Sequence, residues 1–250
     1  MSSARTYKTR GIVLRARNLG EADKIVTLFT DERGKIDAVA KGVRRAKSQL
    51  AGRLEFVTEA SLTMHRGRSL DVITSAEIER AHWTAIVDPG AFATAHVLAE
   101  LVDAFCEVDL AMPEIYALLR GALAALAVAT DPASIVPRFG LRLLGTLGYA
   151  PQSDGCVRCG IAFGETPAWA DLEAGGLACE TCRPHRADAL ALAASDVSNF
   201  RGLAVRREGA VAPAMRATPA AARAVEAFVT WNLGKRTRSS KLLDDLAHAE

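Results

Sequence analysis

The stretch Cys156-Val157-Arg158-Cys159, with its counterpart Cys179-Glu180-Thr181-Cys182, carries the most specific structural information in this sequence. Nineteen residues, 160–178, separate the two pairs. At this spacing each pair supplies two sulfurs from a tight turn, and the intervening ribbon folds back to complete a tetrahedron. The pattern predicts one zinc ion bound by four cysteine thiolates, rather than two disulfides or four free thiols.

Four thiolates leave no open coordination position, so we expect a structural metal and not a catalytic one. His185 lies three residues after Cys182 and is either a substitute ligand or an ordinary surface histidine. The fifth cysteine, Cys106, lies in an apolar helical stretch and is interpreted as a buried, unreactive thiol.

The overall composition is that of a soluble globular protein, with 250 residues of which 50% are hydrophobic and 24% charged. This length suggests one large domain or two to three small ones. No apolar run approaches the ~20 residues of a membrane span, and the N-terminus lacks the apolar segment of a secretory signal. Cysteines in a metal pattern favour a reducing cytoplasm. We therefore expect a cytoplasmic protein without membrane contact.

Charge is distributed unevenly along the chain. Residues 1–82 contain sixteen Lys and Arg against ten Asp and Glu, a net charge of +6, whereas the remainder has a net charge of −4. A basic first third suggests that this part contacts a polyanion, although an Arg-rich solvated surface gives the same totals.

The first 80 residues have the pattern of short β-strands separated by turns. A longer basic link follows the third strand, which favours a small Greek-key barrel of the oligonucleotide-binding (OB) kind over a fragment of a sandwich. The predicted strands are 6–18, 24–29, 35–40, 56–64 and 70–78.

Apolar residues recur at helical spacing after Trp83. Asp88-Pro89, Asp131-Pro132 and Thr218-Pro219 have the composition of helix starts, and Gly234 that of a helix stop. The sequence thus predicts an α+β multidomain protein. It comprises an N-terminal OB-fold β-barrel at 1–82 and an all-α domain at 83–250, with a four-cysteine zinc module at 150–186 inserted in the helical domain.

A cluster of cations on the link after the third strand is the best candidate for a nucleic-acid-binding surface. Such cations bind a phosphate backbone by displacing condensed counterions, and the scarcity of aromatic residues nearby argues against a stacking platform. Cations on the first and third strands and in the last hairpin would extend the surface. The candidate nucleic-acid-binding residues are Arg15, Lys35, Lys41, Arg44, Arg45, Lys47, Arg53, Arg66 and Arg68.

Signatures of enzymes are missing from the sequence. There is no GxxxxGK[ST] phosphate loop, no GxGxxG, no GxSxG elbow and no HExxH motif. The five histidines form no ligand pattern. We therefore expect a protein without catalytic residues.

Several of these segments together resemble the RecO family of bacterial recombination-repair proteins, in order and spacing, over essentially the whole chain. The segments that carry the resemblance are Thr9-Arg10-Gly11-Ile12-Val13-Leu14, Gly20-Glu21-Ala22-Asp23-Lys24-Ile25-Val26, Gly34-Lys35-Ile36, Ala40-Lys41-Gly42-Val43-Arg44-Arg45, Leu54-Glu55-Phe56, Arg66-Gly67-Arg68, Leu70-Asp71, Leu147-Gly148-Tyr149-Ala150-Pro151 and Cys156-Val157-Arg158-Cys159-Gly160.

The resemblance implies an N-terminal OB barrel, a helical domain and a zinc module inserted in it. It further implies binding of single- and double-stranded DNA and annealing of complementary strands. The implied partners are RecR, in some lineages RecF, and single-stranded-DNA-binding protein. Together with RecR, such a protein loads RecA onto strands that single-stranded-DNA-binding protein coats. Such a protein would work in the cytoplasm in association with the nucleoid. Some members lack the cysteines, which implies that the metal supports folding.

Two other functions fit the composition. One is an RNA-binding OB-fold protein with a structural zinc ribbon in translation or transcription, since composition does not separate DNA from RNA. The other is an adaptor whose main task is protein contact. A preference for RNA in competition would favour the first, and failure to bind either nucleic acid would favour the second.

Overall fold

A computed structural model of the chain describes residues 5–86, 88–186, 189–205 and 216–247. The chain forms two compact units, one of Met1–Thr130 with Arg238–Glu250 and the other of Asp131–Thr237. We call these the first and the second unit. They group the barrel with the helices that follow it, whereas the sequence suggested domains at 1–82 and 83–250 with a module at 150–186. Those domain limits stay a prediction.

The first unit contains the predicted OB-type barrel. Its strands close in the order β1-β2-β3-β5-β4, with β3 and β5 parallel and the other neighbours antiparallel. The long link between the third and fourth strands, residues 41–57, is present as predicted. The strands are β1 Thr6–Leu19, β2 Asp23–Thr30, β3 Gly34–Ala40, β4 Thr58–His65 and β5 Asp71–Ala81.

Alternation of side chains along the strands fills the barrel with apolar residues. On β3, Ile36, Ala38 and Ala40 are buried and the residues between them are half-buried, because successive side chains point to opposite faces. Val43 and Leu54, from the link, join the same core. The two ends of the link are therefore fixed to the barrel by burial of apolar side chains.

Helices α1 (Pro89–Phe105) and α2 (Pro113–Leu126) complete the first unit together with α6 (Arg238–Ala247), which packs on α1. Asp88 caps α1 as predicted, since its carboxylate accepts the Ala91 N–H at 2.7 Å. The carboxylate of Glu100, on α1, accepts the backbone N–H groups of Arg238 and Ser239 at 2.9 and 2.8 Å. Glu100 thereby caps the first turn of α6.

The second unit packs three helices beside a small sheet. Helices α3 (Ile135–Thr146), α4 (Ala194–Ala204) and α5 (Pro219–Leu233) contact one another and bury Phe139, Phe200 and Phe228. Thr218 caps α5, and Gly234, with φ 73°, ends it, both as predicted. The sheet has the order β7-β6-β8, with strands β6 Ala168–Asp171, β7 Gly176–Ala178 and β8 Ala191–Leu192.

The predicted helix start at Asp131-Pro132 is wrong in detail. A 3-10 turn, Pro132–Ser134, comes before α3, and the Asp131 carboxylate does not cap it. That carboxylate instead pairs with the Arg216 guanidinium at 2.6 Å. Within the described residues, no helix has the length and apolar character needed to cross a membrane.

Candidate metal centre and nucleic-acid interface

The four cysteines predicted as metal ligands lie together in the second unit. Their sulfur atoms all lie within 4.8 Å of one another, and the four residues are Cys156, Cys159, Cys179 and Cys182. Among the described residues, no histidine belongs to this cluster. The sulfurs of Cys159 and Cys179 are 3.8 Å apart. Tetrahedral zinc with bonds of ~2.3 Å requires sulfur–sulfur separations of about 3.8 Å, so the cluster has the right size for such an ion.

Backbone hydrogen bonds shape the turn that presents the first cysteine pair. The Cys156 N–H donates to the Ile161 carbonyl, and the Gly160 N–H donates back to the Cys156 carbonyl, each at 2.8 Å. Gly160 has φ +77°, a conformation that glycine adopts without strain. The turn thus reverses the chain immediately after Cys159, which lets both sulfurs face the same point.

The second pair follows β7 directly, with Cys182 at the end of a 3-10 turn, Glu180–Cys182. The Cys179 N–H points at the Cys156 sulfur at 3.4 Å, a contact typical of amides around bound thiolates. Arg158, between the first two cysteines, forms an ion pair of 2.5 Å with Asp171 at the end of β6. The first turn is therefore joined to the small sheet by an ion pair that does not involve the four sulfurs.

The basic loop, residues 41–53, carries five of the predicted nucleic-acid-binding residues, and all five are exposed: Lys41, Arg44, Arg45, Lys47 and Arg53. The Gly42 N–H donates to the Asp23 carboxylate at 2.7 Å, and the Arg44 N–H donates to the Ala22 carbonyl at 3.0 Å. Farther along, the Arg53 guanidinium donates to the Ala76 carbonyl at 2.9 Å. The loop is thus anchored on the β1–β2 turn and on β5.

Two other predicted residues, Arg15 and Lys35, are engaged by a helix. The Arg15 guanidinium lies 2.7 Å from the Asp103 carboxylate on α1, and the Lys35 ammonium lies 3.3 Å from the same carboxylate. Lys35 also donates to the backbone carbonyl of Asp103. One carboxylate therefore pairs with both cations and compensates one of their two positive charges. Sequence reasoning did not select Asp103.

The remaining predicted residues, Arg66 and Arg68, are exposed in the β4–β5 hairpin. The Arg66 guanidinium lies 5.3 Å from the centroid of the Tyr7 ring, and the Arg33 guanidinium lies 5.1 Å from the same centroid. The Tyr7 hydroxyl donates to the Asp71 carboxylate at 2.5 Å. Burial and this carboxylate together raise the pKa of Tyr7 to about 12, so the hydroxyl keeps its proton at neutral pH.

Lys24 is a further cation near the basic loop. It pairs with Ala40 across the β2–β3 ladder, so its backbone lies directly beside the start of the basic loop. The sequence predicts a strand at 24–29, but no local signal shows which residue pairs with Lys24 across the ladder.

Helices cover the face of the barrel that OB folds commonly use for oligonucleotides, which is the surface of the second and third strands. The outward residues of β2 are Ile25, Thr27 and Phe29, and all three are buried. Phe29 stacks on Tyr116 of α2 with ring centroids 6.4 Å apart. The outward side chains of β2 are therefore not available to a ligand.

A buried polar cluster joins the barrel to α2. Glu59 on β4 is 3% exposed, and its carboxylate accepts the Tyr116 hydroxyl at 3.0 Å. The His82 Nε2 atom lies 3.9 Å from the same carboxylate and has no hydrogen-bond partner. Burial, followed by the charges of Arg80 and Arg120, lowers the pKa of His82 to about 4. His82 is thus a neutral imidazole at physiological pH.

Family models match both parts of the chain. Residues 1–82 match the model described as Recombination protein O N terminal, and residues 87–241 match Recombination protein O C terminal. The chain belongs to the RecO family of DNA repair proteins. This assignment favours repair over the alternative in translation or transcription.

Curated relatives named DNA repair protein RecO support the same assignment. The protein of Bifidobacterium longum subsp. infantis is 38% identical over 241 residues, covering 95% of this chain and 98% of its own. The protein of Thermobifida fusca is 37% identical over 244 residues, again covering 95% and 98%. That of Nocardioides sp. is 34% identical over 239 residues, or 93% and 97%. The RecO resemblance noted in the sequence is therefore confirmed over nearly the full length.

Proposed function

We propose that this chain binds single- and double-stranded DNA through its basic loop and anneals complementary strands. In this proposal it works with RecR, and with RecF where that protein is present. It helps to load RecA onto strands coated by single-stranded-DNA-binding protein. Its place of action is the bacterial cytoplasm, in association with the nucleoid.

The observation that carries the proposal is the anchored display of the basic loop. Its five cations are exposed, and none forms an ion pair with a carboxylate in the described part of the chain. Because the loop is fixed at both ends, these charges lose little conformational entropy when they contact phosphates. Each contact would release condensed counterions, which gives sequence-independent binding that weakens with salt.

Annealing by this surface requires no bond chemistry, and we propose that the chain is not an enzyme. Two polyanions must be brought close with their repulsion screened, while their bases stay free to pair. Contacts from cations to the backbone satisfy both needs, whereas extensive stacking on aromatic side chains would sequester the bases.

We assign DNA contact to seven of the nine predicted cations: Lys41, Arg44, Arg45, Lys47, Arg53, Arg66 and Arg68. Arg15 and Lys35 are left out because both already form ion pairs with Asp103. Their role in this proposal is to hold α1 against the barrel.

For the cysteine cluster we propose one structural zinc ion bound by Cys156, Cys159, Cys179 and Cys182. The sulfur spacing and the amide that points at Cys156 support this assignment. A site with four thiolate ligands is closed to water, so the ion would stabilise the fold of the ribbon and supply no reactive group.

The test of DNA binding is a titration of labelled single strands across a salt series. Arg44→Glu with Arg45→Glu is expected to weaken binding and to reduce the slope of log K against log salt by about 1.4, since each lost single-strand contact removes about 0.7. Lys35→Gln, on the outer face of β3, is the control, and it should leave the slope unchanged. Unaltered affinity and slope in the double variant would contradict the assignment of the basic loop.

Annealing itself is tested with complementary labelled strands, naked and coated with single-stranded-DNA-binding protein. Salt-sensitive acceleration on coated strands is the expected result. Binding without acceleration would contradict the annealing role, while preference for RNA in competition would contradict DNA as the substrate.

A further inference from the structure

The candidate cations of the barrel fall into two groups beside β3. The basic loop begins at Lys41, directly after the last residue of β3. Arg66 lies toward the start of β3, because its guanidinium shares the Tyr7 ring with that of Arg33, the residue directly before β3. The hairpin leads into β5, whose first residue, Asp71, lies beside Ala38 of β3. We call the exposed residues Arg66 and Arg68 the hairpin group.

Among the described residues of β3, no outward-facing side chain is a cation without an ion pair. The residues of β3 that point away from the core are Lys35, Asp37 and Val39, and Lys35 forms an ion pair with Asp103. Asp37 accepts a hydrogen bond from Thr27 at 2.5 Å and places a carboxylate midway along the strand. A phosphate backbone that followed β3 from one group to the other would therefore be repelled on the way.

The hairpin group is held in place by its surroundings. Tyr7 supports the Arg66 guanidinium, and Asp71 fixes Tyr7 through the hydroxyl and also accepts the Gly67 N–H at 3.2 Å. A Cβ atom on Gly67 would lie 1.9 Å from the Leu70 carbonyl oxygen, so the tight hairpin requires glycine at this position. A stacked guanidinium keeps its N–H groups directed sideways, where they can bind a phosphate.

We propose that the basic loop and the hairpin group are separate phosphate-binding surfaces, each of which takes its own strand segment. One chain then holds two segments at once. The ligand of the hairpin group is the phosphodiester backbone of a second strand, bound without regard to sequence. This inference rests on the proposed DNA-binding function and adds to it the number of strands bound.

The test counts oligonucleotides per chain by native mass spectrometry. Single strands of about six nucleotides, within the range of site sizes for OB folds, are short enough to favour occupation of one group at a time. We expect two oligonucleotides per wild-type chain at saturation. The double variant Arg66→Glu with Arg68→Glu should bind one oligonucleotide per chain, with the affinity of the basic loop. The double variant Arg44→Glu with Arg45→Glu should also bind one oligonucleotide per chain.

Two control variants distinguish the effect of where a residue lies from the effect of changing its charge. Arg223→Glu changes the charge of an exposed arginine on α5, which belongs to the second unit and lies outside both groups, and it should keep two oligonucleotides per chain. Tyr7→Leu removes the support of Arg66 without changing any charge, and should weaken only the hairpin event, by roughly 3-fold or more, given the energy of an exposed cation–π contact.

A single oligonucleotide per wild-type chain, weakened by both double variants, would overturn the two-surface inference and indicate one continuous track. Two oligonucleotides retained by the hairpin double variant would overturn it as well. Absence of any bound oligonucleotide would contradict the proposed DNA binding itself, so the two failures are distinguishable.

Discussion

The barrel and the cysteine ribbon, by which we mean residues 150–186, differ in what can stabilise them. The barrel closes around a continuous apolar core supplied by all five strands and by the link after β3. The ribbon has two short strands, β6 and β7, and four sulfurs at one point. Burial of apolar area can stabilise the barrel. The ribbon has little apolar area to bury, so we expect its stability to depend on bonds from the four sulfurs to a metal ion. We therefore predict that the two regions are destabilised by different kinds of substitution.

The largest expected effect is on the ribbon. Cys156→Ser should lower the zinc content of the purified protein and destabilise the second unit by about 5 kcal/mol or more, because metal binding free energy is folding free energy in such modules. Hydrogen exchange should rise in residues 150–186 and stay unchanged in the barrel. The control is Cys106→Ala, which removes a buried cysteine of the first unit and should retain one zinc per chain. Wild-type protein without zinc would contradict the premise.

The barrel should instead be sensitive to its tight turns. A Cβ on Gly34 would lie 1.8 Å from the Leu110 carbonyl oxygen, and Gly34 has φ +66°. Gly34→Ala is expected to cost about 3 kcal/mol or more in urea unfolding. Gly20 has φ +59° but open space around it, so Gly20→Ala should cost only about 1 kcal/mol. Equal costs would show that the clash with the loop before α2 relaxes freely.

Acid should weaken the first unit through His82. Its pKa of about 4 in the folded chain is below the ordinary value, so the unfolded chain binds the proton first as the pH falls. Between pH 7 and pH 5 this should lower the free energy of unfolding by about 2 kcal/mol. Glu59, Tyr116, Arg80 and Arg120 surround the imidazole and are unchanged in His82→Gln. That variant should show a flatter pH dependence, and an identical slope would contradict this account.

The smallest effect concerns ion pairs. Asp103→Asn removes the partner of both Arg15 and Lys35 and should destabilise the first unit by about 1 kcal/mol. Asp131→Asn breaks the pair with Arg216, an arginine whose side chain is 78% exposed, and should have almost no effect on the second unit. Equal values from urea unfolding would mean that sharing one carboxylate between two cations adds nothing.

Local signals in the sequence predicted the two regions well. The alternation of Ile36, Ala38 and Ala40 was sufficient for a strand, and the spacing of the cysteine pairs was sufficient for their cluster. Boundaries were less accurate where the backbone is irregular. The fourth strand was predicted from residue 56 but begins at Thr58, because Val57 has a positive φ of 51°.

Contacts between distant residues could not be predicted. Arg15 and Asp103 are 88 positions apart, and only the packing of α1 on the barrel brings them together. For the same reason the sequence placed the hairpin arginines and the basic loop on one surface. Our proposal of two separate surfaces rests on the contacts of Tyr7, which have no local signal in the sequence.

The capping of α6 by Glu100 has a consequence for synthesis. The ribosome completes the barrel, α1 and α2 first, yet α6, the helix that packs on α1, is made only after the whole second unit. The contact between α1 and α6 can therefore form only after the whole second unit has been synthesised. A nascent chain stalled before Arg238 would expose the side of α1 that α6 covers, which gives cellular proteases a means to recognise unfinished copies.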